Sequence, residues 1–541
     1  MLKRTVRVES LVLLVAAYVV LFANRGWWAG ALAGRSPNEA GAWLFALALG
    51  VLLLAIHYIL FVLPATGRTV RVWLTVCVLV AMAAQYYIVS YRVLIDATMM
   101  QNVLNTDTRE ASELLGWRPL LAIVLPAVPI IWLIWWLRLE PRSWRKAAAW
   151  RVGSVAVALL LAVVAVLPVN RDFTSLMRNE RGLRYLATPA NVFYGLAHNL
   201  LARPSIIPTV RATVGEDARL LTAPDAVQRP MVFVLVIGET ARAANFSLLG
   251  YERDTNPELA TRDIVAFQDV TACGTSTEIS LPCMFSPWGR RDYDEQQIRG
   301  SEGLLDVLVH AGFRVVWREN QSGCKGVCSN AEIENQLMLD TPRPELCDAK
   351  HCLDEILLDG LDGMLRDAHG NTVLVMHQLG QHGPAYFERF PDRLKRFQPT
   401  CDTAELRRCT PEQVVNTYDN GILYTDEVLA RLIDILAAQT ANVDSAMLFV
   451  SDHGESLGEK GLYLHGMPYA IAPQVQLKVP MVFWASTGFR ERVGLNYPCL
   501  AQRAREPASH DNLFHSVLGV LDVQTSVYAR DRDVFAGCRA R

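Results

Sequence analysis

Acidic and imidazole side chains follow an apolar run in the segment at 448–466, LFVSDHGESLGEKGLYLHG. Asp452 and His453 come directly after LFVS, and Glu239 comes directly after another apolar run, MVFVLVIG at 231–238. Carboxylate oxygens and imidazole nitrogens are ligands that zinc accepts in proteins. Taken alone, a DHG tripeptide is also typical of an ordinary turn with an N-cap, so other segments must decide between the two interpretations.

A third segment, CGTSTEISLPC at 273–283, offers hydroxyl groups, and Thr277 lies in it where a helix could begin. Because a hydroxyl is a poor nucleophile at its own pKa, it needs a metal or a base to activate it. Glu239, Asp452 and His453 could hold such a metal, and with the Thr277 oxygen they make a four-ligand set that suits zinc. The alternative interpretation is a Ser/Thr-rich capping turn.

These residues would meet if the apolar runs are strands of one sheet. Strand patterns alternate with helical patterns, with strands predicted at 231–238, 313–319, 371–378, 446–452 and 479–485 and helices at 302–312, 352–368, 411–439 and 511–523. Such alternation predicts an α/β domain in which helices sandwich a mostly parallel sheet. Ligands gather at the carboxyl ends of the strands in that architecture, which is where Glu239, Asp452 and His453 fall.

The beginning of the chain has a different composition. A length of 541 residues is too great for one ordinary domain, and nearly all the long apolar runs lie before about residue 170. Each run approaches the ~20 residues that a helix needs to cross a bilayer. We therefore predict five transmembrane helices, at about 8–24, 41–64, 70–91, 118–139 and 152–169. A cleaved signal peptide is the alternative for the first run, but Tyr18, Asn24 and the following GWW supply no small-residue cleavage site.

Basic residues indicate how this membrane domain is oriented. They cluster before the first run, between the second and third, and between the fourth and fifth: Lys3, Arg4, Arg7, Arg68, Arg71, Arg138, Arg142, Arg145, Lys146 and Arg151. The positive-inside rule makes that side cytoplasmic. An odd number of spans then places everything after about residue 170 on the other side of the membrane.

The cysteines favour an oxidising compartment for this second part. Of 11 cysteines, Cys77 lies in a predicted span and the other ten lie in the soluble part. The first eight fall into close pairs typical of disulfides, Cys273 with Cys283, Cys324 with Cys328, Cys347 with Cys352 and Cys401 with Cys409. Cys499 with Cys538 is a fifth pair by elimination only. Zinc binding by CKGVC and similar spacings is the alternative, although no partner set of the finger type accompanies them.

Between the membrane domain and the sheet domain lies a connecting region. Residues 170–202 mix basic and aromatic residues as interfacial helices do, and residues 203–230 are proline-containing and without periodicity, which is typical of a linker. We therefore divide the chain into 1–170, 171–230 and 231–541. A net charge of −2 leaves no basic excess to neutralise phosphates, so no nucleic-acid partner is expected.

Several motifs of the chain, in order, match those of one known family. They are GETAR, CGTSTEISLPCMFS, WRENQSGCKGVC, HQLGQHGPAYF and SDHGESLGEKGLYLHGMP. With them the chain resembles the phosphoethanolamine transferases that modify lipid A, including the polymyxin- and colistin-resistance type, within the alkaline phosphatase superfamily and its sulfatase-like domains. The resemblance covers essentially the whole chain. It implies a monomeric, multi-pass protein of the bacterial inner membrane with a cytoplasmic N-terminus and a periplasmic catalytic domain.

The resemblance also implies roles for the residues already singled out. Thr277 is expected to be the nucleophile that becomes modified with phosphoethanolamine, with Glu239, Asp452 and His453 as its companions around one tightly bound zinc. The remaining catalytic-pocket residues implied by the family are His382, His465, Lys325 and Glu455. The two histidines would contact the transferred group or a second zinc and could shuttle protons near neutral pH. Lys325 would offer a point charge to a phosphate.

Two further segments correspond to family binding regions. The loop TMMQNVLNTDTRE is similar to the one that meets the lipid head group, through Asn102, Thr106 and Glu110. Gln321 stands where some relatives have Asn, which leaves its role in the pocket open.

The compartment constrains the donor of the transferred group. The chain lacks the P-loop signature GxxxxGK[ST], and no ATP is expected outside the inner membrane, so the donor must carry its own activated phosphorus. We hypothesise that Thr277 attacks the phosphorus of phosphatidylethanolamine and releases diacylglycerol. A lipid A phosphate then attacks the modified threonine, and the product lowers the negative charge of the outer membrane.

Two other functions remain open from the sequence. A sister transferase could share the same four residues yet act on a core sugar of lipopolysaccharide, or move phosphoglycerol. A membrane-anchored zinc-binding protein or sensor could keep the fold without catalysis, although the intact acid, His and Thr ligands argue against it.

Overall fold

The chain divides into two compact units in a computed structural model. The model describes residues 5–106, 111, 114–180, 182–201, 211–221, 229–335, 343–348 and 351–540. One unit contains the described residues up to Asn105 and those from Leu114 to 201, and the other contains Thr106, Ala111 and the described residues from 211 onward.

The N-terminal unit is helical. Its helices are α1 (Val8–Phe22), α2 (Arg25–Ala31), α3 (Ala40–Val62), α4 (Val70–Tyr91), α5 (Ala97–Asn105), α6 (Trp117–Trp136), α7 (Trp144–Val166), α8 (Asn170–Asn179) and α9 (Ala190–Leu201). Two short strands, β1 (Thr5–Val6) and β2 (Arg138–Leu139), pair in parallel. Helical structure after residue 170 agrees with the helices expected there.

Four helices of the described chain are long and apolar enough to cross a membrane, namely Ala40–Val62, Val70–Tyr91, Trp117–Trp136 and Trp144–Asn179. A fifth span arises if α1 and α2, which meet at a bend of 64°, are counted together. The reason is length, since the 15 residues of α1 cover only about 22 Å of a hydrocarbon core of about 30 Å. The first expected span, at about 8–24, corresponds to α1, which passes the length criterion only together with α2.

The C-terminal unit alternates strands and helices. Its strands are β3 (Arg219–Leu220), β4 (Met231–Gly238), β5 (Val265–Thr271), β6 (Arg314–Glu319), β7 (Glu332–Asn335), β8 (Thr372–His377), β9 (Asp444–Ser451), β10 (Ser456–Leu457), β11 (Tyr463–Leu464), β12 (Lys478–Ala485), β13 (Ala508–Ser509) and β14 (Val523–Gln524). Its α-helices are α10 (Thr277–Met284), α11 (Glu295–Arg299), α12 (Leu304–His310), α13 (Leu361–Arg366), α14 (Pro411–Ala438), α15 (Gln474–Leu477), α16 (Thr487–Val493), α17 (Tyr497–Arg503) and α18 (Leu513–Val520).

Eight of these strands form one sheet in the order β13-β5-β12-β9-β4-β8-β6-β7. The three central strands β9, β4 and β8 are parallel, and so is the β8-β6-β7 side. Alternate residues of β4 enter two different apolar cores, with Phe233 and Leu235 on one face and Val232 and Val234 on the other. The sheet is therefore buried on both faces, as expected for an α/β sandwich.

The sheet is mixed rather than uniformly wound, because β12 runs antiparallel to both β9 and β5. The connection from β9 to β12 holds the short antiparallel pair β10–β11 and the four-residue helix α15 but no long crossover helix, so the chain re-enters the sheet from the edge at which β9 ended. Strand β5 was not predicted from the sequence, because its burial alternates along Val265–Thr271 instead of forming one apolar run.

Candidate active site

The two central parallel strands bring the predicted acidic residues together. Gly238 at the end of β4 pairs with Ser451 at the end of β9. One residue further on, the Asp452 amide donates a hydrogen bond to the Gly238 carbonyl at 2.9 Å. Glu239 and Asp452 thus leave the sheet side by side at its carboxyl edge, as the sequence predicted.

Thr277 reaches the same place from another segment. It is the first residue of α10, and its side-chain oxygen lies 3.0 and 3.1 Å from the two carboxylate oxygens of Glu239. The same oxygen lies 3.5 Å from Nε2 of His453. The helix start predicted at this position is confirmed, and the hydroxyl lies where its oxygen could join the acidic and imidazole groups.

The donor set fits a metal ion. One ligand atom from each of Glu239, Asp452 and His453 lies within 4.8 Å of the others, and all three residues are buried. Oδ2 of Asp452 is buried and has no hydrogen-bond partner in the described part of the chain. A buried carboxylate oxygen without a partner costs free energy, and a cation held by these three residues would remove that cost.

Charge is distributed unevenly among these three groups. Burial opposes ionisation of Glu239, but the adjacent His453 holds the pKa of that carboxyl well below its usual range. Burial and the negative charge of Glu239 raise the pKa of Asp452 to about 7. Burial opposes protonation of His453, yet Asp452 and Glu239 raise its pKa to about 10. The single positive charge of His453 therefore does not neutralise both buried carboxylates, Glu239 and Asp452. Such a site favours binding of a cation.

A row of imidazoles extends from this cluster. The ring centroid of His465 lies 4.4 Å from that of His453 and 5.6 Å from that of His382. Nδ1 of His465 lies 3.4 Å from Oε2 of the fully buried Glu455. The structure thus places His382, His465 and Glu455 beside the predicted ligands.

Lys325 and Gln321 lie on the segment that follows β6. Gln321 donates a hydrogen bond from Nε2 to Oε2 of Glu239 at 3.1 Å, so it belongs to the site. The ammonium group of Lys325 donates to the carbonyl and the hydroxyl of Ser322, at 3.1 and 2.9 Å. Lys325 also lines a small cavity together with Pro282 of the Thr277 helix.

The proposed lipid-contacting loop is described only in part. Asn102 lies in α5 and Thr106 follows the end of that helix. Glu110 lies outside the described residues.

Five disulfides are formed in the C-terminal unit. They join Cys273 to Cys283, Cys324 to Cys328, Cys347 to Cys352, Cys401 to Cys409 and Cys499 to Cys538. Cys77 is free and buried. The first of these disulfides closes a loop around Thr277.

The turn after β4 is held by residues that the sequence analysis did not single out. Thr240 adopts a left-handed φ of +53°, which is rare for a β-branched residue. The Tyr418 hydroxyl donates to the Thr240 carbonyl at 2.6 Å and accepts from the Arg242 amide at 3.0 Å. Gly380, with φ +56°, packs so closely that an added Cβ would lie 2.5 Å from the Glu239 carbonyl oxygen. A positive φ angle at a residue other than glycine, such as Thr240, cannot be predicted from the sequence, because the fold of the loop determines it.

His510 ties the Thr277 segment to the end of β9. Its Nδ1 accepts from the Cys273 amide at 3.1 Å, and its Nε2 lies 3.0 Å from the Ser451 carbonyl oxygen, to which it therefore donates. Ser280, within α10, donates to the Asp452 carbonyl at 2.5 Å. Burial lowers the pKa of His510 to about 3, so the imidazole is neutral. No spacing rule connects SHDN at 509–512 with segments more than 50 residues away.

Another buried pair lies beneath the site. Nδ1 of His377, at the end of β8, lies 3.1 Å from Oε1 of Glu319, which also accepts the Gln321 amide at 2.7 Å. Trp317 donates to the other oxygen of Glu319 at 2.7 Å. Glu319 therefore holds the backbone from which Gln321 reaches Glu239.

This combination of fold and site defines a class of protein. Residues 232–523 match the Sulfatase family model, and residues 53–203 match the model of "Phosphoethanolamine transferase EptA/EptB". The sheet domain thus belongs to the Sulfatase family, and it is preceded by the N-terminal domain of a particular group of transferases.

Individual relatives agree with both models. Phosphoethanolamine transferase EptA of Salmonella typhimurium is 38% identical over 475 residues, with 87% of this chain and 86% of that protein covered. Phosphatidylethanolamine transferase Mcr-1 of Escherichia coli is 34% identical, with 91% of each chain covered. The structure of the integral membrane protein lipooligosaccharide phosphoethanolamine transferase A from Neisseria meningitidis aligns with a TM-score of 0.93 at 35% identity, covering 99% of this chain and 100% of that one. The chain belongs to the phosphoethanolamine transferase family.

Proposed function

We propose that this chain transfers phosphoethanolamine from phosphatidylethanolamine to a phosphate of lipid A, through a covalent intermediate on Thr277. The observation that carries the proposal is the hydroxyl of Thr277 within 3.0 Å of Glu239 and 3.5 Å of His453, in a site where, among the described residues, an Asp452 carboxylate oxygen has no hydrogen-bond partner. Mcr-1 is named as a phosphatidylethanolamine transferase, which supports this donor. The Neisseria protein is named as a lipooligosaccharide phosphoethanolamine transferase, which supports an acceptor of that class.

Zinc is the metal that this donor set suits best, held by Glu239, Asp452, His453 and the Thr277 oxygen. When bound, it would lower the pKa of the hydroxyl and offset charge that develops on the phosphoryl oxygens. His382 and His465 would contact the transferred group, or take part in a second metal site. The number of metal ions can be counted directly by elemental analysis of the purified chain.

The position of Thr277 at the start of a helix serves phosphoryl transfer. The Ser276 carbonyl accepts from the amides of Ile279 and Ser280, at 3.1 and 2.8 Å, so the helix is hydrogen-bonded from its first turn. Amide groups at such an N-terminus favour negative charge, and an anionic phosphoryl group on Thr277 would lie there.

In the first half-reaction, the Thr277 hydroxyl gives up its proton to solvent, its oxygen forms a bond to phosphorus, and the bond from phosphorus to the glycerol oxygen breaks. The departing diacylglycerol takes up a proton, for which the partly exposed His465, 3.4 Å from Glu455, is placed. In the second half-reaction, an oxygen of the lipid A phosphate forms a bond to the same phosphorus and Thr277 is released. Lys325 would attract one of the phosphates.

We further propose that residues 231–541 lie in the periplasm and residues 1–170 in the inner membrane, with 171–230 connecting them. A contribution of Asn102, Thr106 and Glu110 to head-group binding belongs to the same proposal.

The test is mass spectrometry of lipid A from a Gram-negative host that expresses either the wild-type chain or Thr277→Ala. A phosphoethanolamine increment with the wild type alone is expected. Robust modification by the variant would overturn the nucleophile assignment. Unmodified lipid A in both strains, with the protein folded in the membrane, would favour a core-sugar acceptor or phosphoglycerol transfer instead.

A further inference from the structure

A second binding site lies in the N-terminal unit. A cavity of about 680 Å³ opens between α1, α3 and α7. Its walls are apolar, with Leu13, Val157 and Leu161 about half exposed because no other described element covers them. The cavity is concave and apolar, as binding sites for hydrophobic ligands are.

The length of this cavity matches one leaflet of a bilayer. Its lining residues on α7 run from Ala149 to Leu161, thirteen residues whose twelve steps rise about 18 Å along the helix. Half of a hydrocarbon core of about 30 Å is about 15 Å. Small residues make the groove, since a Cβ added at Gly153 would meet nothing within 4 Å. A groove of this depth accommodates one acyl chain.

One end of the groove is charged and the other is apolar. At the charged end, Glu9 accepts a hydrogen bond from Arg142 at 3.2 Å, and both side chains are largely shielded, with 14% and 13% of their surface exposed. Arg142 also donates to Glu140 at 3.0 Å, and Arg7 lies 3.6 Å from that carboxylate. The guanidinium groups of Arg7 and Arg142 lie 4.8 and 5.4 Å from the centroid of the Trp150 ring, which lines the groove.

We propose that this groove binds one glycerophospholipid with a zwitterionic, amine-bearing head group. One acyl chain lies along α7, the phosphate contacts Arg7 and Arg142, and the ammonium contacts Glu9 and Glu140. The carboxylates of Glu9 and Glu140 lie beside the guanidinium groups of Arg7 and Arg142, so partners for an ammonium and for a phosphate stand side by side, as a zwitterion requires. Trp150 lies beside both arginines, and tryptophan is enriched where a membrane protein meets lipid head groups.

Such a lipid would stabilise α7 against its neighbours. Ala162 is the only residue of α7 that is buried in the described structure, so this helix packs less completely than α3, with which it shares the groove. A ligand that binds the folded chain alone raises its stability in proportion to its concentration. The groove is formed only by residues of the N-terminal unit and is independent of the function proposed for Thr277.

The experiment compares Gly153→Leu with Gly41→Leu in the full-length chain. Both glycines are helical positions at which an added Cβ meets nothing within 4 Å, but only Gly153 lines the groove. The purified proteins are titrated with phosphatidylethanolamine or phosphatidylglycerol and analysed by native mass spectrometry and thermal unfolding. We expect the wild type and Gly41→Leu to retain one phosphatidylethanolamine and to gain Tm on its addition. Gly153→Leu should lose about tenfold in affinity and gain no Tm.

A third variant tests the head group. Glu9→Gln should reduce the preference for phosphatidylethanolamine over phosphatidylglycerol by about tenfold, the loss expected for one charge-assisted contact. Equal binding of several copies of both lipids, unaffected by Gly153→Leu, would mean ordinary boundary lipid and would overturn the site. Selective retention of phosphatidylglycerol by the wild type would overturn the assignment of an amine-bearing head group.

Discussion

The Thr277 hydroxyl and the Glu239 carboxylate, 38 residues apart in the chain, lie within 3.0 Å of each other at the carboxyl edge of the sheet. Two substitutions of Thr277 separate the role of the hydroxyl from that of the side-chain shape. Thr277→Val keeps the shape and loses the nucleophilic oxygen, so transfer should fall by at least ~10³-fold. Thr277→Ser keeps the oxygen and should retain transfer within about tenfold, measured as the rate of lipid A modification in detergent. Equal activity of the two variants would contradict the assignment.

The intermediate itself can be detected on the chain. If Thr277 carries the transferred group, wild-type protein incubated with phosphatidylethanolamine alone should show a phosphoethanolamine increment on the peptide that contains Thr277. The modification should disappear when lipid A is added, because the acceptor completes the transfer. A wild-type peptide that stays unmodified while diacylglycerol is released in the presence of acceptor would favour direct transfer between the two lipids.

Asp452 should be required for metal retention. Asp452→Asn preserves the side-chain shape but removes the charge of an oxygen that has no hydrogen-bond partner in the described structure. We expect bound zinc after dialysis to fall at least ~10-fold. Asp426→Asn is the matched control, because Asp426 is another buried aspartate, but it accepts from the Glu258 and Leu259 amides away from the site. Normal zinc content in Asp452→Asn would remove Asp452 from the ligand set.

Gly380 should be irreplaceable. An alanine Cβ there would lie 2.5 Å from the Glu239 carbonyl oxygen, and the residue would also be held at φ +56°. We expect Gly380→Ala to cost about 1–3 kcal/mol of stability and to displace Glu239, with a large loss of transfer. Gly363→Ala, in a helix and with open space around the added Cβ, should leave both properties near wild type. Thermal unfolding and transfer rate are the measurements, and wild-type activity of Gly380→Ala would contradict the close approach.

His510 should act as a positioning residue. It links the Cys273 amide to the Ser451 carbonyl, and so links the Thr277 loop to the strand that delivers Asp452. His510→Gln should lower kcat while zinc content and KM stay close to wild type. His515→Gln is the control for general destabilisation, because His515 is also buried but contacts the Pro287 carbonyl and the Ala529 amide instead. An equal loss of kcat in both variants would reduce His510 to a packing role.

The sequence predicts those site residues that directly follow an apolar strand. Glu239 and Asp452 were predictable because each follows an apolar run, and parallel neighbours must end at one edge. The direction of β12 was not predictable, because an apolar run has no direction and the connection before it, which lacks a crossover helix, decides the pairing. His510 and Tyr418 were missed for a different reason, since their roles depend on backbone groups of distant segments that no local pattern marks. The groove along α7 likewise depends on how three helices pack, which apolar composition alone does not specify.

The pH dependence of stability offers a separate test of His510. Burial lowers its pKa to about 3 in the folded chain, whereas the unfolded chain has a pKa near ~6.5. Above pH ~6.5 both states are neutral at this position, and as the pH falls below that value only the unfolded state binds the proton. The free energy of unfolding should therefore decrease by up to ~1.4 kcal/mol per pH unit from this group. The measurement is Tm between pH 7.5 and 5, which should fall more steeply in the wild type than in His510→Gln, and parallel curves would show that His510 is accessible to protons in the folded state.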